Sequence, residues 1–206
     1  GMESRYDLFD LRIEFAEPVV PRAWRRGVPE RMRHDGTVET TLDEDAVRAA
    51  VTSLVQDHDI EALAICFLHS YANAAHEQRA AAVAREMYPA LAVSVSAEVV
   101  PVMREFERWS TTTVNAYTQP LADRYLGRLE TELQRRNFAG AFLIMTSNGG
   151  AVTPSQARQF PVRLIESGPA AGALMAAHIG AEAGCDDILS FDMGGTTAKG
   201  AIVRDG

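Results

Sequence analysis

Residues 191 to 200 read FDMGGTTAKG and carry the densest set of groups in the chain that could do chemistry. Asp192 closes an apolar run, two glycines and two threonines follow, and Lys199 precedes a second apolar run, AIV. Gly194 and Gly195 can take backbone angles closed to other residues, which lets successive N–H groups converge into an anion-binding concavity. Asp192 is placed to hold a magnesium ion directly or through water, and Thr196 and Thr197 offer hydroxyl donors. Lys199 is the only lysine among 20 basic residues, and its compact ammonium meets a phosphate as a point charge. Carboxylate, concavity and hydroxyls together describe a nucleotide-phosphate site. The competing description is a tight hairpin turn whose glycines only permit the bend.

Two familiar phosphate loops do not fit. A Walker A loop needs Ser or Thr after its lysine and a helix beyond, whereas Gly200 and a strand follow Lys199. The dinucleotide fingerprint needs spaced glycines in a strand-to-helix turn, and this is a strand-to-strand turn.

The elements that must position this loop follow from periodicity. Residues 11 to 42 read as short strands broken by prolines and the Asp35-Gly36 turn. Asp43 caps a predicted helix to about Asp57, with Val47, Val51, Leu54 and Val55 on one face. A strand EALAICFL, a helix over residues 75 to 88 that Asn73 caps, and a strand LAVSVS come next. This alternation predicts an α/β layer arrangement. A long helix from about Val102 to Arg136, with a break at Pro120, leads to a strand AFLIMTS and an NGG turn. The small-residue stretch from Gly168 to Ala183 reads as a helix with Pro169 at its first position, able to approach a neighbour closely.

With 47% hydrophobic residues in 206, the chain can bury a real core. Its net charge of -8 argues against nucleic acid and anionic membrane as partners. No apolar stretch reaches the roughly 20 residues that span a bilayer, so a cytoplasmic location is expected. Cys66 and Cys185 have no metal-ligand spacing and read as buried free thiols. The arginines between residues 21 and 34 fit an anion site, a solvated surface or a contact with further protein.

Other polar residues have two readings each. Arg104, Arg108, Thr111 or Thr112, Asn115 and Gln119 recur at spacings of three and four as one polar helical face, which is either solvated or has Glu105, Arg108 and Asn115 lining a cleft. Phe106, Trp109, Thr113 and Tyr117 lie on another face. His69 and His76 flank a strand-to-helix loop without a recognised metal spacing, so capping and hydrogen bonding are favoured over ligation. The turn at residues 147 to 150 could approach a ligand, and Glu166, Ser167 and Gly168 open a helix whose N-terminus could face an anion.

The blocks FDMGGTTAKGAIV, ESGPAAGA, LIMTSNGG, AICFLHSYANAAHEQR and REFERWSTTTVNAY together resemble the A subunits of the hydantoinase/oxoprolinase family, in the expected order over nearly the whole chain. That family is similar to the actin, sugar-kinase and heat-shock-chaperone ATPases, whose two ribonuclease-H-like halves each give ATP an Asp-Gly-rich hairpin. The resemblance implies an α/β fold of the ribonuclease-H-like (actin-like ATPase) type, holding the second half of the first lobe and the start of the second. Residues 1 to 137 would complete an N-terminal domain, and 138 to 206 would begin the second lobe with its phosphate hairpin.

The same resemblance implies ATP and Mg2+ as cofactors. Asp192 would be catalytic and a metal ligand, and Gly194, Gly195, Thr196, Thr197 and Lys199 would contact the nucleotide. Many relatives carry an acidic residue where Lys199 stands. Nothing in residues 1 to 60 matches the family's first phosphate hairpin, and family members are several-fold longer, so an internal piece of a larger subunit, inactive in isolation, is expected.

The implied reaction is ATP-dependent opening of a cyclic amide of the hydantoin or 5-oxoproline type. The alternatives are an ATP-dependent acetone or acetophenone carboxylase and a non-catalytic folding and assembly module. A small cyclic amide or ketone and a second, B-type subunit are the implied partners.

Overall fold

The computed structural model describes residues 17–204, so the strand expected before residue 17 lies outside the described residues. The chain forms two compact units that divide between Pro120 and Leu121.

The first unit opens with β1 (Arg31–Met32) and β2 (Val38–Thr40), paired antiparallel around the turn at Gly36. Gly36 sits at φ 82°, a conformation that glycine takes without steric penalty, and its N–H donates to Arg33 O at 2.9 Å. Helix α1 (Glu44–His58) starts as expected, with Asp43 accepting the Ala46 N–H at 2.9 Å. Its Val47, Val51 and Leu54 face inward.

Strand β3 (Ala62–Ile65), helix α2 (Ala75–Met87) and strand β4 (Ala92–Val95) make a βαβ unit, with Ala62 beside Ala92 and Ile65 beside Val95 in parallel register. Asn73 accepts the Ala75 N–H at 3.0 Å and donates to Gly36 O at 2.9 Å, tying the helix start to the β1–β2 turn. Ala80, Ala81 and Ala84 let α2 lie close on its neighbours, where they form one core with Val47, Val51, Ile65, Val93 and Val95.

After the short α3 (Ser96–Val99), helix α4 (Glu105–Arg135) runs through the division between the units. The break expected at Pro120 does not occur. An internal proline costs a helix about 3 kcal/mol, but here both flanks are anchored, by the buried Ala116 before it and the buried Leu126 after it.

In the second unit β5 (Ile144–Met145) and β6 (Ala151–Val152) pair antiparallel across the expected NGG turn, where Gly149 takes φ 85°. The strand predicted over residues 141 to 147 is thus only two residues long. Helix α5 (Pro154–Gln159) was not foreseen, although Thr153 as cap and Pro154 at the first turn are a legible start signal. Arg158 on α5 reaches Asp123 at 2.6 Å and Glu130 at 3.2 Å on α4. Helix α6 (Ser167–Glu182) packs on the closing hairpin of β7 (Asp187–Met193) and β8 (Ala198–Arg204). The whole is an α/β fold in which, among the described residues, strands pair only in twos.

Candidate functional site

Strands β7 and β8 are in uninterrupted antiparallel register from Asp187 opposite Arg204 to Met193 opposite Ala198. Side chains alternate, so Ile188 and Ser190 with Ala201 and Val203 form the half-buried side while Leu189, Phe191, Met193 and Ile202 are exposed. Asp192 pairs directly with Lys199 across the strands, at the end that carries the turn.

The turn closes with Gly194 N–H donating to Thr197 O at 2.9 Å. Gly194 and Gly195 do not use the left-handed conformations the sequence allowed them, since among the described glycines only Gly36, Gly149 and Gly184 have positive φ. A Cβ at Gly195 would meet nothing within 4 Å, and one at Gly194 only Thr197 O at 3.8 Å, so neither glycine is required by crowding among the described residues. Among the described residues nothing crowds the turn at these two positions, which leaves its backbone approachable.

Asp192 is exposed, and its carboxylate forms no ion pair among the described residues. No group of three metal-capable side chains gathers anywhere among them. One free carboxylate beside an open turn suits Mg2+, which keeps several waters and takes its other ligands from a nucleotide's phosphates. Thr196 and Thr197 are exposed on the same turn.

Lys199 turns away from Asp192, its Nζ lying 2.6 Å from Glu166 Oε2. Glu166 immediately precedes α6 and holds a left-handed backbone, φ 62° and ψ 21°. The turn at residues 147 to 150 is tied nearby, because Ser147 N–H and Oγ both donate to Arg163 O, at 2.8 and 2.6 Å. A Cβ on Gly149 would stand 2.7 Å from Leu174 Cδ1, so this turn backs onto α6. The structure therefore brings Asp192, the 194–197 turn, Lys199 and Glu166 together. The pairing of Glu166 with Lys199, 33 residues apart, had no sequence signal.

In the first unit the middle of the polar face of α4 is buried rather than solvated, although Arg104 at its start is exposed. Arg108, Thr112 and Asn115 are fully buried, while Phe106 and Tyr117 are exposed. The reversal has a cause in hydrogen bonding. Arg108 donates to Phe67 O at 2.9 Å, Val102 O at 2.7 Å and Ser96 Oγ at 3.1 Å, with its guanidinium 5.6 Å from the Tyr71 ring centre. Asn115 donates to Ser94 Oγ at 3.0 Å. Arg108 thereby satisfies the carbonyl just past β3, and the two side chains also partner the serine hydroxyls in and after β4, polar groups that burial would otherwise leave without partners.

Glu77 completes that network by accepting from Phe67 N at 2.6 Å, Ser96 Oγ at 2.7 Å and Ala97 N at 2.9 Å. Sequence reasoning missed it, although a carboxylate three residues before Ala80 and four before Ala81, on an otherwise apolar helix face, was a usable signal.

The remaining candidates have local partners. His69 packs edge-on to His34 and Tyr71, and His76 Nδ1 lies 2.8 Å from Glu30 Oε2. Among the basic stretch, Arg25 donates to Val20 O at 2.8 Å and Arg26 to Ser53 Oγ at 3.1 Å. The expectation of two buried thiols is corrected, because Cys185 is exposed and Cys66 is half-buried as a residue. Burial, reinforced by the nearby Glu77 charge, still pushes the Cys66 thiol up to about 12. No helix among the described residues is long and apolar enough to cross a membrane.

A family model described as Hydantoinase/oxoprolinase matches residues 108–206, and one described as Hydantoinase/oxoprolinase N-terminal region matches residues 1–88. The chain is 35% identical over 198 residues to the caprolactamase alpha subunit of Pseudomonas jessenii, covering 96% of this chain and 28% of that one. It is 32% identical over 193 residues to the acetone carboxylase beta subunit of Xanthobacter autotrophicus, covering 92% and 26%. The crystal structure of the ATP-dependent caprolactamase from Pseudomonas jessenii superposes with a TM-score of 0.83 at 33% identity, covering 98% of this chain and 29% of the other. The chain spans less than a third of the length of each of these relatives.

Proposed function

The chain belongs to the hydantoinase/oxoprolinase family, and from that premise we propose that it forms part of an ATP-dependent enzyme that opens cyclic amides. The observation that carries this reading is an exposed Asp192, with no ion pair among the described residues, beside the Gly194–Thr197 turn at the end of a regular hairpin. We read that hairpin as the second phosphate hairpin of a ribonuclease-H-like, actin-like ATPase, with residues 138 to 206 beginning its second lobe.

An unactivated ring amide resists hydrolysis because its carbonyl is resonance-stabilised and its nitrogen leaves poorly. ATP with Mg2+ supplies a phosphoryl group that makes the carbonyl oxygen a good leaving group. What falls to the protein is positioning and charge stabilisation. Backbone N–H groups of the 194–197 turn and the Thr196 and Thr197 hydroxyls would face phosphate oxygens. Asp192 would hold the metal, and Lys199, directly opposite it on the partner strand, would add a positive charge.

The ketone-carboxylase alternative draws on the acetone carboxylase beta subunit; the higher identity to caprolactamase favours the amidase. Both relatives are named as subunits, which supports a second, B-type partner, and a cytoplasmic setting would supply the ATP.

The test is phosphate release by the full-length protein with 5-oxoproline, hydantoin, caprolactam, or acetone plus bicarbonate. Amide-dependent release is expected, and Asp192→Asn should lose most of it while circular dichroism stays unchanged. Near-normal turnover in that variant would return the hairpin to a plain turn.

A further inference from the structure

Lys199 has two carboxylates within reach of its position, Asp192 directly across the hairpin and Glu166 before α6, and it pairs with Glu166 at 2.6 Å. Stability does not account for that choice. Both side chains are substantially exposed, 39% for Lys199 and 65% for Glu166, and solvent screens such a pair. Glu166 also holds a left-handed backbone that is sparsely populated for a glutamate. A non-glycine residue kept there, aimed at the chain's only lysine beside an open turn, marks a functional constraint more than a structural one.

We propose that the Glu166–Lys199 pair is a latch that phosphate displaces, so that Glu166 regulates how tightly the hairpin takes nucleotide. This rests on the 194–197 turn being a phosphate site. Without nucleotide, Glu166 occupies the ammonium. A polyphosphate on the turn carries more charge than one carboxylate and takes Lys199 Nζ for itself, leaving Glu166 free. Binding therefore bears the cost of breaking the pair, and Glu166 lowers apparent affinity. The release also reaches α6, because Glu166 is the residue from which that helix starts. One ion pair thereby couples the occupancy of the hairpin to the helix packed on it.

The experiment is a coupling cycle of Mg-ATP affinity, by titration calorimetry, on the full-length protein, Glu166→Gln, Lys199→Met and the double variant. Removing the competing carboxylate should tighten binding by about two- to fivefold, the range of an exposed ion pair. Lys199→Met should weaken it by about tenfold, as loss of a charge-assisted bond does. In the double variant the Glu166 change should have no further effect, because the lysine it restrains is gone. If the unaltered protein binds Mg-ATP and Glu166→Gln leaves its Kd unchanged or weakens it, the latch is refuted while the ATP reading stands. If the unaltered protein does not bind Mg-ATP, both fall. A Glu166→Gln protein with a lower melting temperature and unchanged affinity would reduce the pair to a structural tie.

Discussion

Glu77 and Arg108 are both fully buried, and a single hydroxyl joins them: Ser96 Oγ donates to Glu77 Oε1 at 2.7 Å and accepts from Arg108 Nε at 3.1 Å. Ser70 Oγ lies 3.1 Å from the same oxygen. The network reaches across α2, the ends of both parallel strands and the start of α4. Buried charges are tolerated only when paired and hydrogen-bonded, and here each has several partners.

Glu77→Ala should therefore destabilise the protein by about 3–5 kcal/mol, because it leaves Arg108 as an uncompensated buried charge. Ser96→Ala should cost less, about 1–3 kcal/mol, for the lost bridge. Urea unfolding would give both values. Equal, small losses would mean that water replaces the network.

At Gly180 a methyl group would overlap Ile188 Cδ1 and stand 2.7 Å from its Cγ1, because α6 lies directly on β7 there. Gly180→Ala gains up to about 1 kcal/mol of helix propensity but overpacks the contact by about 1–3 kcal/mol. A net lowering of the melting temperature is expected. Adding Ile188→Val, which removes the overlapping methyl, should recover part of it.

The two cysteines should differ sharply. At pH 8 a soluble thiol reagent should label Cys185 in the native protein and Cys66 only after unfolding. The Cys66 thiol rises from an ordinary 9.0 to about 12 on folding, so the folded state holds its proton more tightly than the unfolded chain does. Its contribution to stability is complete below about pH 9 and is lost as pH rises towards 12. Cys66→Ser should flatten that alkaline decline in unfolding free energy.

At the first helix, Asp43→Ala removes the side chain that accepts the Ala46 N–H at 2.9 Å. A loss of about 1 kcal/mol is expected from denaturant unfolding, and Asp43→Asn should retain most of the stability.

Much of this architecture was legible before the structure. Asp43 as a cap, the 3.6-residue spacing of Val47, Val51 and Leu54, and the strand–helix–strand rhythm after them are local patterns, and local hydrogen bonding and one-sided burial enforce them. The hairpin that carries Asp192 and Lys199 was legible for the same reason, as two apolar runs joined by a glycine turn. The α4 surface was not. Its Phe106 and Tyr117 are exposed while Arg108, Thr112 and Asn115 are buried, because the Phe67 carbonyl past β3 and the Ser94 hydroxyl on β4 take hydrogen-bond donors that an apolar face could not offer.

The sequence by itself determined most of the helices and strands, the hairpin that closes on the Gly194–Thr197 turn, and the family that the order of blocks resembles. Those properties depend on neighbours a few residues apart. Only the tertiary structure decided that Glu166 takes Lys199 from Asp192, that Ser96 stands between Glu77 and Arg108, and that Gly194 and Gly195 keep ordinary backbone angles. Each of these outcomes is a competition among groups brought together from distant positions, and its result depends on distances that no local pattern encodes.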